Sequence, residues 1–220
     1  MKKLPLSLLV GALSLSLSAP TIAQEYMFTY SKLFTQMKQN AKEGHDDVKI
    51  GFFFTNAATK QLCNIEKAWM EKEEHYEILQ VSPHKELLVP LDSNLREANP
   101  LVFVRTPMDQ RCDFSMVVMT KQPMSGTVDY QNIEVLMPQM QAMLEDLGGM
   151  FASWFTPDVE GVTLEFVAGT EGVVRFSNGK EKALVNNKVQ ISLSEIGEGG
   201  SITLPSETAR VLPYLPKASK

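Results

Sequence analysis

Clusters of basic residues, clusters of histidine and closely paired cysteines are all missing from this sequence, and so are long apolar runs beyond the first two dozen residues. Each gap removes a class of function. An acidic chain of formal charge −5 without a Lys/Arg cluster is a poor partner for nucleic acid or for an anionic membrane surface. Lys217 and Lys220 read as a solvated tail. A zinc site needs three or four convergent ligands, and His45, His75 and His84 fall in no such spacing. His45 follows Gly44 in a turn with Asp46 and Asp47, so all three histidines read as solvated surface groups. Ser125 and Ser153 lie outside any Gly-x-Ser-x-Gly elbow. The glycine-containing stretches 169–172 and 197–200 lack the lysine and following helix of a phosphate loop, and read as hairpin turns. Glu145 and Asp146 are adjacent, so on a helix they diverge. No cofactor and no metal are implied, and the balance falls against an enzyme.

What is present begins with an address. Lys2 and Lys3 precede an apolar stretch over residues 4–17, and Thr21 and Ala23 are the small residues a leader peptidase takes three and one positions before its cut. Residues 1–23 therefore read as a secretory signal peptide, too short and too rich in serine to stay as a membrane span. Removing them leaves 197 of the 220 residues and takes two lysines, so −5 becomes about −7. No cysteine near the cut marks a lipoprotein, and the expected compartment is the periplasm. There Cys63 and Cys112, an even count on separate segments, are expected to form a structural disulfide rather than a redox pair.

The remaining chain reads as an α+β, β-rich fold of two related antiparallel β units, residues 24–123 and 124–220. Each unit is preceded by a helix, as an internal duplication. In the first, residues 26–30 are β-prone, and Ser31 is expected to cap a helix carrying Leu33, Phe34 and Met37 on one face. Strands follow at 48–54, 62–70, 75–81, 86–89, 101–105 and 113–120, with a helical turn from Asp92 or Ser93 to Ala98 that Pro100 stops. In the second, Tyr130, Ile133 and Met137 repeat Tyr30, Leu33 and Met37 at an offset of one hundred. The offset then grows to about 114, matching Val162, Leu164 and Phe166 to Val48, Ile50 and Phe52. Carried onward, that offset matches Pro205 to Pro90, Arg210 to Arg96 and Pro213 to Pro100, and leaves the second unit without a counterpart of residues 113–120. Strands are expected at 173–176, 181–185 and 188–193, with Asn178-Gly179 as a hairpin turn.

A helical insertion near 138–156 separates the units' matched parts. Pro138 suits a first helical turn, and Met140, Met143, Leu144 and Leu147 share a face. Thioethers at Met137, Met140 and Met143 suit Cu(I), but the same spacing is that of a core face, which is the simpler reading. Past Gly148-Gly149, Met150, Phe151, Trp154 and Phe155 form a second apolar group, a binding candidate expected to plug the seam between the units or to meet a partner. The rim of that seam is the first place to look for a ligand.

The order Tyr-x-x-Leu-Phe-x-x-Met from Tyr30 to Met37, the run 47–54, the block 69–76, Cys112-Asp113-Phe114 and Leu147-Gly148-Gly149 together resemble an exported, uncharacterised family of gammaproteobacteria, known as a domain of unknown function. The resemblance covers nearly all of the chain past the leader. It implies a Gram-negative periplasm and supplies no activity or ligand. The expected function is a soluble, non-catalytic binding or interaction module of the envelope, whose partner is an unknown protein or small ligand, without nucleic acid and without stable membrane insertion. A hydrolase-like envelope enzyme with a dispersed site and a copper-binding protein using the methionine helix are the alternatives.

Overall fold

A computed structural model describes residues 24–149 and 156–216. The expected leader and the candidates Met150, Phe151, Trp154 and Phe155 lie outside the described residues.

The chain opens with strand β1 (Gln24–Thr29) and helix α1 (Tyr30–Met37), which buries Tyr30, Leu33, Phe34 and Met37 on one face. Ser31 does not cap it. The cap position is Thr29, without a side-chain bond, and the Ser31 N–H is instead satisfied at 2.9 Å by the Oδ1 of Asn99, a residue far along the chain. A free N–H at a helix start donates to any well-placed oxygen, and here a tertiary neighbour supplies that oxygen. Then come β2 (Val48–Asn56), β3 (Lys67–Lys72), β4 (His75–Ile78), β5 (Gln80–Val81), β6 (Leu87–Leu88), α2 (Ser93–Ala98), β7 (Leu101–Thr106) and β8 (Cys112–Thr120). Asp92 caps α2 through Asn94 N–H at 2.6 Å. Residues 62–66, expected within a strand, form only a bridge from Leu62 to Thr55, because this connection carries Cys63 to its partner.

The second repeat runs β9 (Thr127–Asp129), α3 (Tyr130–Glu134), α4 (Leu136–Gly148), β10 (Gly161–Glu165), β11 (Val173–Phe176), β12 (Glu181–Ala183), β13 (Lys188–Ser192), α5 (Leu193–Ile196), β14 (Ser201–Thr203) and β15 (Arg210–Tyr214). Its strand pairing repeats that of the first. Order β1-β7-β3-β4 becomes β9-β14-β11-β12, and β6-β2-β8 becomes β13-β10-β15, antiparallel throughout. The correspondence extends to single bonds. Tyr30 N–H donates to the Pro100 carbonyl and Tyr130 N–H to that of Gly200, both at 2.9 Å. Asp92 and Ser192 cap equivalent short helices.

These matches place the later elements at an offset of one hundred, which corrects part of the sequence alignment. Pro205 follows β14 whereas Pro90 precedes α2, Arg210 lies in β15 whereas Arg96 lies in α2, and Pro213 lies in β15 whereas Pro100 precedes β7. The extra residues before β10 are offset by a shorter β10, a shorter connection to β11 and a short β12–β13 turn in place of the β4–β6 stretch that holds β5, so the spacing returns to its starting value. The second repeat does have a counterpart of β8, namely β15. The stretches 169–172 and 197–200 are not hairpin turns either, since β10 does not pair with β11 and residues 197–200 join α5 to β14.

One continuous buried cluster draws on both repeats, from Tyr30, Phe54 and Val104 to Leu164, Ile191 and Val211. Helix α4 packs on β2 and β8 of the first repeat as well as on β15, and β15 lies beside β8. Met140 and Met143 are fully buried in that contact, where flexible thioethers fill space between helix and sheet. Among the described residues, no helix is long and apolar enough to cross a membrane.

Candidate functional site

Cys63 and Cys112 are joined as a disulfide, across a separation of 49 residues. The bond pins the β2–β3 connection to the start of β8. That connection is a wall of a cleft of about 550 Å³ between the two repeats, within the size range of small-molecule sites. The first repeat contributes residues 59–62 and the β5–β6 turn, residues 83–85. The second contributes residues 165–168, the β12–β13 turn at 185–188, and Ala209 and Arg210.

The floor of the cleft follows from strand register. Glu165 ends the central strand β10, opposite Lys188 on β13 and Arg210 on β15. Facing residues across antiparallel strands have adjacent side chains, so one carboxylate meets two cations. Arg210 donates from Nε to Glu165 Oε2 at 2.7 Å and also from Nη2, while Lys188 Nζ bonds Oε1. The Glu165 and Arg210 side chains are each only 7% exposed. The Arg210 guanidinium also lies 4.6 Å from the ring centroid of the buried Phe53 on β2, which ties the ion pair to the first repeat.

The walls are held by turns in an unusual backbone state. Lys60, Lys85, Asn186 and Asn187 all have positive φ, between 52° and 68°, where non-glycine residues are uncommon. Asn56 holds the first turn, its Oδ1 accepting from Ala58 and Thr59 N–H at 2.9 Å and its carbonyl from Lys60 N–H. Ser82 holds the second, its Oγ accepting from His84 and Glu86 N–H. Asn186 and Asn187 form a two-residue hairpin, a position suited to asparagine. Lys85 Nζ donates to the Leu62 carbonyl at 2.9 Å, joining the two first-repeat segments of the wall.

Among the described residues, Lys60, Lys85, Lys188 and Arg210 thus line the cleft with Glu165 as its one carboxylate, in a chain of net charge −5. Thr59 and His84 line it too, but they share no hydrogen bond that would make a nucleophile and its base. The arrangement is suited to holding a negative group. Strand register brings these residues together, so no local motif announced them. The available signals were one acidic residue inside the alternating stretch 162–166 and the Asn186-Asn187 turn.

His45 corrects the reading of the histidines as solvated. It is buried, with Nδ1 3.0 Å from the Gln39 carbonyl and Nε2 3.9 Å from the Asp146 carboxylate, which Lys42 also meets at 2.8 Å. The turn after Gly44 is covered by α4 from the second repeat, which sequence spacing could not show. His75 is exposed and His84 half-buried. Among the described residues, no three His, Cys, Asp or Glu side chains converge as a metal site.

The sequence profile of a family described as a protein of unknown function, DUF2987, matches residues 22–166. No curated protein and no solved structure matches the chain. The matched span holds the first repeat and the second as far as the start of the cleft's far wall.

Proposed function

We propose that this chain, which belongs to the DUF2987 family, is a soluble, non-catalytic binding module of the cell envelope that works in the periplasm and holds its ligand in the cleft between its repeats. The cleft carries this reading, because the two repeats meet there around a cationic, partly apolar hollow with one wall braced by a disulfide. The leader-like sequence of residues 1–23 and the disulfide support the compartment. Met150, Phe151, Trp154 and Phe155 are proposed as a further contact segment of the module. Copper handling has less support, since Met140 and Met143 are sealed in the core. A hydrolase-like role has less as well, since the cleft sets no base against a nucleophile.

Methyl-labelled protein titrated with a small-fragment library tests the binding reading. Shifts should gather on the methyls of Leu62, Val167 and Val185. Hits scattered over the surface, or none at all, would overturn it. Fractionation of cells checks the compartment, with the mature chain expected in the periplasmic fraction beginning at Gln24.

A further inference from the structure

Resting on that reading of the cleft, we propose that its ligand is an amphiphile, a single anionic head group, carboxylate or phosphate ester, carried on an apolar body. Charge points to the head group. Both oxygens of Glu165 are already engaged by Arg210 and Lys188, so the one carboxylate of the cleft has no demand left for Lys60 or Lys85. The first-repeat wall thus presents Lys60 and Lys85, the latter with one ammonium N–H given to the Leu62 carbonyl and the others left to a ligand, and the second-repeat wall presents Lys188, 45% exposed, beside the buried Arg210. Like charges gathered in a half-enclosed hollow repel each other, and an anion set between the walls relieves that.

The apolar body follows from the remaining lining. Leu62, Pro83, Phe166, Val167, Ala168 and Val185 share the cleft with the cations. Val167 is 56% exposed and Val185 69%. Apolar side chains left open at the mouth of a site gain most from covering by an apolar ligand. Four of the six non-glycine residues with positive φ among the described residues belong to this lining. Such backbone persists where surrounding structure fixes it, and it gathers at ligand sites. The turns hold Lys60, Lys85 and the Asn186-Asn187 hairpin between Val185 and Lys188 in place before any ligand arrives, which lowers the ordering cost of binding.

The test uses full-length mature protein and five probes below their micelle concentrations: octanoate, octyl phosphate, octyl glucoside, acetate and inorganic phosphate. Calorimetric titration should show one site for octanoate, octyl phosphate or both, about tenfold or more tighter than for the neutral glucoside. The two small anions should bind more weakly still. Binding should weaken as salt is raised, and Lys60→Met, which removes no partner of Glu165, should lose about fivefold while the melting curve stays intact. The tighter of the two amphiphiles identifies the head group as carboxylate or phosphate. Octyl glucoside binding as tightly as the anions would overturn the anionic head group, and inorganic phosphate matching octyl phosphate would overturn the apolar body. Either result leaves the cleft as a binding site, since fragment shifts at Leu62, Val167 and Val185 report on that separately.

Discussion

The two repeats share a strand order and differ in the face they turn outward. In the first, Met27, Phe103, Trp69 and Ile78 stand in one row across β1, β7, β3 and β4. In the second, the equivalent row across β9, β14, β11 and β12 is Thr127, Thr203, Arg175 and Glu181. One row is aromatic and aliphatic, with Phe103 stacked on Trp69 at 5.2 Å and Lys67 5.0 Å from the indole centroid. The other is a polar ladder closed by an Arg175–Glu181 bond at 2.9 Å. Beneath both, the inward rows agree in character: Phe28, Val102 and Met70 against Val128, Ile202 and Phe176. The inner row therefore carries the topology, through apolar burial. The outer row is free to change, and in the first repeat it has become an apolar ledge under a cover of cations.

The disulfide is the largest difference between the repeats, since it braces the first alone. Replacing both Cys63 and Cys112 by Ala is expected to lower unfolding stability by about 4 kcal/mol, on the loop-closure estimate for a bond of this span. Urea unfolding of the oxidised protein and of the variant measures it. Unfolded, unreduced protein should show no titratable thiol, and two per chain would remove the comparison's first term.

The second repeat has its own brace in the buried ion pair. Arg210→Met is expected to cost about 3 kcal/mol, because it leaves the Glu165 carboxylate buried with only the half-exposed Lys188. Glu165→Leu in the same chain should restore part of the loss. If the double variant costs the sum of the single ones, the two residues act independently and the triad is not a unit.

The outer rows are compared by Trp69→Ala and Arg175→Ala, each removing the third member of its row. Trp69 is buried despite facing outward, and its loss should cost about 2–3 kcal/mol. The Arg175 bond is largely exposed and should contribute about 0.5 kcal/mol or less. Equal effects in chemical unfolding would mean that both outer faces matter alike.

Much of this arrangement was readable in the sequence, and the parts that were not share a cause. Apolar spacing and turn residues placed β1, α1, β2, α2 and the strands near 101–105 and 113–120, and the hundred-residue echo of Tyr30 at Tyr130 is structural. Local signals of that kind act within a few residues. The echo of α2 in α5 was missed because an insertion and a later shortening cancel, and nothing local marks the cancellation. Asn99 at the start of α1, α4 over His45, and Lys188 and Arg210 around Glu165 are all contacts between distant segments. The candidate site is of this second kind throughout. Its cations were visible as residues, but their convergence depends on the register of three strands and two loops.

The smallest effect separates the two tyrosines that the repeats place alike. Tyr30 is fully buried, its hydroxyl donating to the Pro90 carbonyl at 2.6 Å and accepting from Asp92 N–H at 2.9 Å, and burial raises its pKa above the ordinary 10.0. Tyr130 is half-buried, and its pKa is also raised, by desolvation first and then by Glu134 and Glu198. A group whose pKa is higher folded than unfolded stabilises the fold below its unfolded value, and that contribution is lost as pH rises through the folded value. Stability should therefore hold steady up to about pH 10 and fall above it, where the unfolded chain ionises first. Tyr30→Phe should cost about 1 kcal/mol near neutral pH, from the lost hydroxyl bonds, and should then lose less than the parent on further alkalinisation. Tyr130→Phe should change the alkaline slope less than Tyr30→Phe does. Unfolding midpoints for the three proteins from about pH 8 to about pH 11 decide the matter. Parallel curves for Tyr30→Phe and the parent would show that the buried hydroxyl is not the group whose ionisation opens the first repeat.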